Sequence, residues 1–301
     1  MSAANNQTDV EFLLAKCIGR KVKIPDLLAL CPWDVEIAPW DENMEREIEL
    51  WRSRWIKDPT SLKRNRIVDP CLFARSVAPK ATFDGQLIVA KWAAWTFYWD
   101  DAHDFGEFDD RPEEVIAHRD QTIELFRRSL YDEHPNSINP AEISPSYLTA
   151  QSVHEYADQV AFPDWFFNHE LVKKAADLID IIIWVVNDIA SARHELQCKH
   201  VDNYVPLLVY HKGLTPQEAI DEAANVAHQA YLDFEALESH LTQLGESRGC
   251  SHEIQTFIAS CKFICSGLIN WHYQVKRYVP WRAGMDRDSL YVVLGEDLPK
   301  D

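Results

Sequence analysis

Glycine is scarce in this chain of 301 residues: there are only 9, and none lies between Gly106 and Gly213. Folds with many strands need glycine-containing turns, so this scarcity argues against an all-β or α/β architecture and predicts an all-α fold. The sequence also lacks internal repeats and any linker that would divide it. We therefore expect one α-helical domain over residues 1–301.

Positive charge and long apolar runs are also lacking. The 30 basic residues are outnumbered by 48 acidic ones, and the net charge of -18 argues against a nucleic-acid partner. No uncharged apolar run approaches the roughly 20 residues of a membrane span, and the N-terminus lacks the pattern of a secretion signal. The 7 cysteines form no CxxC motif, which suits free thiols in a reducing compartment. Together these features predict a cytoplasmic protein.

Helical patterns recur along the chain. Residues 43–55 and 86–99 have apolar residues at helical spacing. The β-branched run DLIDIIIWVVNDIA would also suit a buried strand, but residues 171–197 contain neither proline nor glycine, and this length favours a central helix. The sequence TPQE at 215–218 is a capping box with proline at the first helical position, and it predicts another helix. Residues 132–146 contain three prolines and no apolar period, which predicts an exposed loop.

An acidic motif follows an aromatic run in the stretch WTFYWDDAHDFGE. On a helix, Asp100 and Asp104 lie one turn apart on one face, and such a pair suits Mg²⁺, which prefers oxygen ligands. The alternative is a solvated helix end. Asp109, Asp110 and Glu113 form a similar cluster, but Pro112 places it at the start of a helix, where acidic residues complement the dipole. No such explanation covers the first motif, which ends an aromatic helix.

A second group of oxygen donors lies in NDIASARHE, where Asn187, Ser191 and Glu195 recur every four residues. On a helix they share one face over roughly 12 Å, and their amide, hydroxyl and carboxylate oxygens again suit Mg²⁺. The alternative is structural: Ser191 could bond a carbonyl one turn back, and Asn187 could satisfy a buried neighbour.

Near the C-terminus, VKRYVPW contains Arg277 and Tyr278, which could donate hydrogen bonds to a phosphate, the arginine through two parallel bonds. An exposed basic patch is the alternative. Aromatic residues such as Phe97 and Trp271 are core residues by default, but they could also line an apolar pocket and stabilise a cation through their ring faces.

These motifs together resemble those of fungal-type class I terpene synthases: DDxxD at 100–104, NDxxSxxxE at 187–195 and an RY pair at 277–278, in this order. FARSVAPKA at 73–81 is also similar to that family, and the resemblance extends over about 22–281. It implies an all-α class I terpene synthase helical bundle around an apolar cavity, with the two metal motifs facing each other at its mouth.

The resemblance also implies a sesquiterpene synthase that ionises and cyclises farnesyl diphosphate, with geranyl diphosphate as the alternative substrate, and it allows a homodimer. Three Mg²⁺ ions would bind the diphosphate. The implied metal ligands are Asp100, Asp104, Asn187, Ser191 and Glu195. The implied substrate-binding residues are Arg277, Tyr278, Trp271 and Phe97, of which Arg277 and Tyr278 also assist the departure of diphosphate.

The chain departs from the family pattern between the two metal motifs. Asp100 and Asn187 are 87 positions apart, fewer than the family usually has, and no arginine or glycine lies between Ser129 and Ala192. The family carries a diphosphate-sensing arginine and a glycine-containing helix break in this interval. We therefore expect one or two helices of the cavity wall to be missing.

Three alternatives remain open. A shortened wall would admit water to a carbocation, which suggests a catalytically impaired or inactive homologue. A non-catalytic helical binding protein would leave the acidic residues without metal. A prenyl-elongating synthase fits less well, because such enzymes carry two aspartate-rich motifs, whereas this chain has Asn187, Ser191 and Glu195 at the second position.

Overall fold

The computed structural model of the chain describes residues 3–104, 111, 113–114, 116–117, 119–121, 160–275, 277–278, 281 and 285–297. Most of these residues are helical and each of the two strands has only three residues, which confirms the predicted all-α class. The predicted loop at 132–146 and the predicted loss of wall helices lie outside the described residues.

We number ten α-helices and two short strands among the described residues. The first six helices are α1 (Ala3–Cys17), α2 (Leu27–Leu30), α3 (Glu42–Trp55), α4 (Pro59–Ile67), α5 (Pro70–Val77) and α6 (Phe83–Asp104). The next four are α7 (Glu170–Gln197), α8 (Tyr204–Lys212), α9 (Pro216–Arg248) and α10 (Ser251–Gln274). The strands are β1 (Lys21–Lys23) and β2 (Tyr291–Val293).

The predicted helices are confirmed, with one extension that bears on function. Residues 43–55 lie in α3 and residues 171–197 form nearly all of α7. Thr215 accepts a hydrogen bond from the backbone of Glu218, whose side chain accepts one in return, so the predicted capping box begins α9. Helix α6 continues beyond the predicted 86–99 as far as Asp104, which places the acidic motif on the helix itself.

Short-range capping explains where several helices begin. Asp41, Asp58 and Asp69 each accept a backbone N–H bond at the start of α3, α4 and α5. Such N-caps satisfy donors that have no partner within the helix. Proline at the first position of α4 and α5 adds a fixed φ angle where no backbone N–H is needed.

Helix α7 lies at the centre of the core. It packs along α9 and also contacts α8 and α10, while α6 lies on α5 and α3. Its buried face includes Val172, Ile182, Val186 and Ile189, which are fully shielded from solvent. An apolar helix in this position is rigid, and it carries the second predicted metal motif on its C-terminal half.

A close helix crossing in the core, between α5 and α10, depends on a glycine. A Cβ atom placed on Gly267 of α10 would lie 2.1 Å from the carbonyl oxygen of Ser76 in α5, so any side chain there would clash with backbone. This contact holds α10 against the helix that carries Phe73. Both the aromatic cluster and the end of α10 that leads to Arg277 depend on this approach.

The two strands form an antiparallel pair that the sequence did not predict. Lys21 pairs with Val293 and Lys23 pairs with Tyr291, so the N- and C-terminal segments are joined. Beyond β2, the backbone N–H of Gly295 donates to the carbonyl of Arg193 on α7 at 3.2 Å. The C-terminal segment is thereby attached to the helix of the second motif.

Two properties predicted from composition, the state of the cysteines and the lack of a membrane span, can be compared with the structure. All seven cysteines are free thiols, as expected. None of the described helices is long and apolar enough to cross a membrane.

Candidate active site

The first acidic motif lies on the last turns of α6, and its two neighbouring aspartates differ in environment. Asp101 is 4% exposed, whereas 50% of the Asp100 side-chain surface is accessible to solvent. The Asp104 side chain lies outside the described ones, so its predicted pairing with Asp100 stays a prediction.

Arg277, which follows α10, contacts both aspartates of α6. Its Nη1 atom lies 2.6 Å from Oδ1 of Asp101, and its Nη2 atom lies 4.0 Å from Oδ2 of Asp100. Asp101 is the second aspartate of the DDxxD motif, and the sequence analysis assigned it no role. The structure shows that Asp101 is the main charged partner of Arg277, a relation that only the approach of two distant helices creates.

The pKa of Asp100 depends on charged residues from both motifs. Its pKa is raised to about 6, first because the surrounding protein removes water; Arg277 opposes this rise, and the charges of Glu195 and Asp101 add to it. Half of the side chain still meets solvent, which screens part of the effect. Glu195 of α7 is therefore near enough to Asp100 of α6 for its charge to affect the Asp100 carboxyl.

Asn187, Ser191 and Glu195 all lie on α7, as the spacing predicts. Ser191 is buried, and its Oγ atom lies 3.4 Å from Nδ2 of Asn203. Oε2 of Glu195 lies 2.9 Å from the same nitrogen. The sequence analysis did not single out Asn203, and an asparagine shortly before a helix is a weak pattern by itself.

Oδ1 of Asn187 lies 3.2 Å from Nε2 of His272. The ring of His272 is fully buried, and burial lowers its pKa to about 4, so it is neutral. Its Nδ1 lies 2.9 Å from the carbonyl of Leu268, which can only accept, so Nδ1 carries the proton and Nε2 is an acceptor. Two acceptors cannot form this bond, so we assign the Asn187 amide the reversed orientation, with its nitrogen donating to Nε2 and its oxygen open to another partner.

Two basic residues precede Glu195 on α7. Arg193 is buried and donates to the backbone carbonyls of Arg277 at 2.8 Å and Glu296 at 2.7 Å. The pKa of His194 is lowered to about 4, first by burial and then by the positive charges of Arg277 and Arg193. Arg193 thus fixes the backbone at Arg277, while His194 is held neutral.

Tyr278 is buried beside Arg277. Burial raises the pKa of its phenol; Arg277 opposes this, and the charges of Asp100, Asp101 and Glu195 add to the rise. The phenol therefore keeps its proton and remains a hydrogen-bond donor at neutral pH. The charges of Asp100 and Asp101 on α6 and of Glu195 on α7 therefore all act on Tyr278.

An aromatic cluster lies next to these charged groups. Phe97 stacks on Trp271 with ring centroids 5.0 Å apart, and Phe73 contacts both rings. Trp271 is 0% exposed and donates its indole N–H to the carbonyl of Val68 at 2.8 Å, which is what a core tryptophan does. Phe97 is only partly buried. Contact of either ring with a substrate stays a prediction, and Trp271 would need its neighbours to move.

The donor chemistry of the site fits a divalent cation. Among the described residues, no three His, Cys, Asp or Glu side chains are grouped as a metal site. The second motif, however, offers amide and hydroxyl oxygens besides one carboxylate. The negative charge of Glu195 raises the energy of the ionised form of Asp100. A cation between the two motifs would relieve this repulsion, and oxygen ligands suit Mg²⁺.

Sequence comparisons give the first evidence of relationship. Residues 141–233 match the family model described as "Terpene synthase family 2, C-terminal metal binding", a match that includes the whole NDxxSxxxE motif. Germacrene A synthase of Nostoc punctiforme is 26% identical, with 82% of this chain and 93% of the relative aligned. (+)-Eremophilene synthase of Gibberella fujikuroi is 21% identical, with 92% of this chain and 94% of the relative aligned.

The alignment with the Nostoc enzyme also bears on chain length. It extends over 305 positions, more than the 301 residues of this chain, although it uses only 82% of them. It therefore contains positions at which this chain has no residue. This agrees with a shortened chain without locating the difference.

Solved structures show the same fold. The structure of linalool/nerolidol synthase from Streptomyces clavuligerus has a TM-score of 0.62 at 16% identity, covering 79% of this chain and 98% of that chain. Hedycaryol synthase has a TM-score of 0.62 at 19% identity, covering 84% and 99%. The chain has the all-α class I terpene synthase fold. It is a homologue of sesquiterpene synthases, which confirms the predicted resemblance and the predicted enzyme class, a lyase of the terpene cyclase type.

Proposed function

We propose that the chain ionises farnesyl diphosphate in the presence of Mg²⁺ and converts it to a sesquiterpene with release of diphosphate. The observation that carries the proposal is the position of Arg277, whose Nη2 lies 4.0 Å from Oδ2 of Asp100 and whose Cζ lies 5.6 Å from the centre of the Tyr278 ring. The charge of Glu195 on α7 also reaches Asp100 and Tyr278. Geranyl diphosphate is the alternative substrate. A relative from Streptosporangium roseum, 22% identical over 88% of this chain, is named 4-epi-cubebol synthase ((2E,6E)-farnesyl diphosphate cyclizing), which supports the longer substrate.

Metal binding is assigned to the two motifs on α6 and α7. In this proposal Asp100 and Asp104 hold two Mg²⁺ ions, and Asn187, Ser191 and Glu195 hold a third. Bound Mg²⁺ supplies positive charge that polarises the diphosphate and stabilises it as a leaving group. The family match covers the α7 motif, and the description of that family includes C-terminal metal binding, which supports this part of the assignment.

Arg277 and Tyr278 bind the diphosphate as hydrogen-bond donors. The ion pair with Asp101 and the contact of Arg193 with the Arg277 carbonyl fix the position of the guanidinium before substrate arrives. Donors held in place in this way stabilise developing negative charge without having to reorganise.

The reaction begins with heterolysis of the bond between C1 and the diphosphate oxygen. The electron pair leaves with that oxygen, and an allylic cation remains. A distal double bond of the substrate then supplies the electrons for ring closure. Loss of a proton from the final cation gives a hydrocarbon, whereas addition of water followed by loss of a proton gives an alcohol. The face of Phe97 is the aromatic surface that we assign to cation stabilisation.

The short interval between Asp100 and Asn187 also affects the product. Fewer wall residues let water reach the cation earlier, so we expect low turnover or acyclic and hydroxylated products. A chimera that carries the interval of a full-length relative should shift the products toward cyclic hydrocarbons. If the present chain already makes a single cyclic hydrocarbon at a rate that the chimera does not exceed, the expected effect of shortening is wrong.

The experiment that tests the function is incubation with farnesyl diphosphate and Mg²⁺, with products analysed by gas chromatography and diphosphate release measured in parallel. Turnover should disappear on chelation and in Asp100→Ala or Glu195→Ala. The control Asp109→Ala/Asp110→Ala changes an acidic pair that the sequence predicts to begin a helix, and it should stay near the parent rate. No diphosphate release from farnesyl or geranyl diphosphate by folded protein would overturn the proposal.

A further inference from the structure

Asn203 connects the helix of the second motif to the helix that follows it. It lies between α7 and α8 and is 1% exposed. Its Oδ1 atom accepts a hydrogen bond from the backbone N–H of Val205 at 2.9 Å, which makes it the N-cap of α8. This bond accounts for the oxygen end of the side chain and is the ordinary structural role of an asparagine at this position.

The nitrogen end of the same amide faces α7. Nδ2 lies 2.9 Å from Oε2 of Glu195, 2.9 Å from the carbonyl oxygen of Asp188 and 3.4 Å from Oγ of Ser191. Oxygen acceptors on this side and a backbone donor on the other allow only one orientation of the amide. One buried side chain therefore bonds two of the three residues assigned to the third metal ion.

The kind of donor matters as much as its position. An amide N–H orients a carboxylate without cancelling its charge, whereas the guanidinium of Arg277 neutralises Asp101. Asn203 engages only Oε2 of Glu195 and does not contact its other oxygen, Oε1. Donors behind a metal ligand restrict its orientation, and their loss commonly weakens metal binding by about 10–100-fold.

The turn itself is held in register with α7. The backbone N–H of Tyr204 donates to Oδ2 of Asp188 at 2.7 Å, next to the bond from Asn203 to the Asp188 carbonyl. Two successive residues of the turn are therefore fixed to one residue of α7. The Asn203 side chain cannot move away from Glu195 without breaking this local network.

We propose that Asn203 is a positioning residue that sets the geometry of Glu195 and Ser191 for a divalent cation and diphosphate. It touches neither substrate nor metal and acts through its two neighbours on α7. This role rests on the proposed function of the same site.

The test separates capping from positioning. Asn203→Asp is nearly isosteric and keeps an oxygen that caps α8 as well as asparagine does, but it replaces the donor with an acceptor facing Glu195. Asn203→Ser also keeps a capping oxygen and loses the donor without adding charge. The control Asp41→Asn makes the reverse exchange at the N-cap of α3, where the side chain bonds only Asn43 and Met44 in the described contacts.

The measurement is binding of inorganic diphosphate at fixed Mg²⁺ by calorimetry, together with the thermal midpoint of the protein alone. We expect Asn203→Asp and Asn203→Ser to weaken diphosphate binding at least about tenfold, and Asp41→Asn to leave it within twofold. With farnesyl diphosphate as substrate, both Asn203 variants should show a higher KM and a lower kcat than the parent. If Asn203→Asp does not fold, Asn203→Ser decides the outcome alone.

The possible failures are distinguishable. A lower thermal midpoint in both Asn203 variants with unchanged diphosphate affinity would mean that Asn203 only caps α8, and the positioning role would be overturned while the proposed function stands. No Mg²⁺-dependent binding of diphosphate by the unmodified chain would overturn the proposed function and this role together.

Discussion

Arg277 and Asp101 form a buried ion pair that joins the end of α6 to the segment after α10. Their closest atoms, Nη1 and Oδ1, are 2.6 Å apart, and 8% and 6% of the two side-chain surfaces are exposed. Removing one partner of such a pair leaves an uncompensated charge in a dry environment. The pair therefore belongs to the stability of the fold as well as to the site.

Asp101→Asn should destabilise the protein more than Asp100→Asn does. The first change removes the buried charge nearest to Arg277 and leaves the more distant, half-exposed Asp100, so it should cost about 3 kcal/mol in the free energy of unfolding. The second removes a half-exposed carboxylate 4.0 Å from Arg277 and should stay within about 1 kcal/mol. Urea unfolding without Mg²⁺ measures both. Equal losses would mean that Asp101 is not the main partner of Arg277.

Arg277→Lys should lower kcat/KM for farnesyl diphosphate at least about tenfold, or ~1.4 kcal/mol, because an ammonium cannot reproduce the two parallel donors of a guanidinium. Arg287→Lys is the matched control. Arg287 pairs with Asp26 at 3.0 Å and lies over the rings of Tyr273 and Trp281, so the control also replaces an arginine in a carboxylate pair. Steady-state kinetics should show the control within twofold of the parent, and a similar result for Arg277→Lys would remove it from the site.

The sequence predicts the helices and the donors of this site better than it predicts their partners. Periodicity identifies α7, and spacing places Asn187, Ser191 and Glu195 on one of its faces, because both are properties of a single helix. The partners Asp101, Asn203 and His272 become visible only when helices approach each other. No local pattern specifies that Asp101 meets Arg277, 176 positions later in the chain.

The pairing of β1 with β2 was missed for a related reason. Each strand has only three residues, too few for an alternating pattern to stand out, and the two are separated by nearly the whole chain. Trp271 illustrates the opposite limit. The family resemblance implied a substrate contact for Trp271, which stays a prediction; α5 packs against α10 and Phe97 of α6 stacks on the ring, so it is completely buried.

Asp188→Asn should stabilise the protein increasingly as pH rises. The pKa of Asp188 is raised to about 7, first by burial, while the Tyr204 N–H lowers it and the Glu195 charge raises it. A carboxyl with a raised pKa contributes stability at pH values below its unfolded pKa of about 3.9, and this stability is lost as pH rises through its folded pKa. Asparagine stays neutral and keeps an acceptor for Tyr204.

The measurement is the free energy of unfolding of both proteins from about pH 4 to pH 8. The difference in favour of Asp188→Asn should grow up to about pH 7 and then level off. Asp58→Asn is a control of opposite sign, because the backbone N–H of Ser61 lowers the pKa of Asp58. The stability that Asp58 contributes is lost at pH values mostly below the tested range. A constant difference for Asp188→Asn over the range would contradict the raised pKa.

Gly267→Ala should be strongly destabilising although alanine is the better helix former. The added Cβ would lie 2.1 Å from the Ser76 carbonyl oxygen, and backbone cannot yield as a side chain can, so α5 and α10 must separate. We expect a loss of about 3 kcal/mol, the upper end of the usual overpacking range. Gly245→Ala is the matched control in α9: its Cβ would lie 3.0 Å from a side-chain atom of Ile254, and the gain in helix propensity of about 1 kcal/mol offsets part of the strain. Thermal unfolding should therefore rank Gly267→Ala well below Gly245→Ala, and the reverse order would show that the α5–α10 crossing can widen without loss.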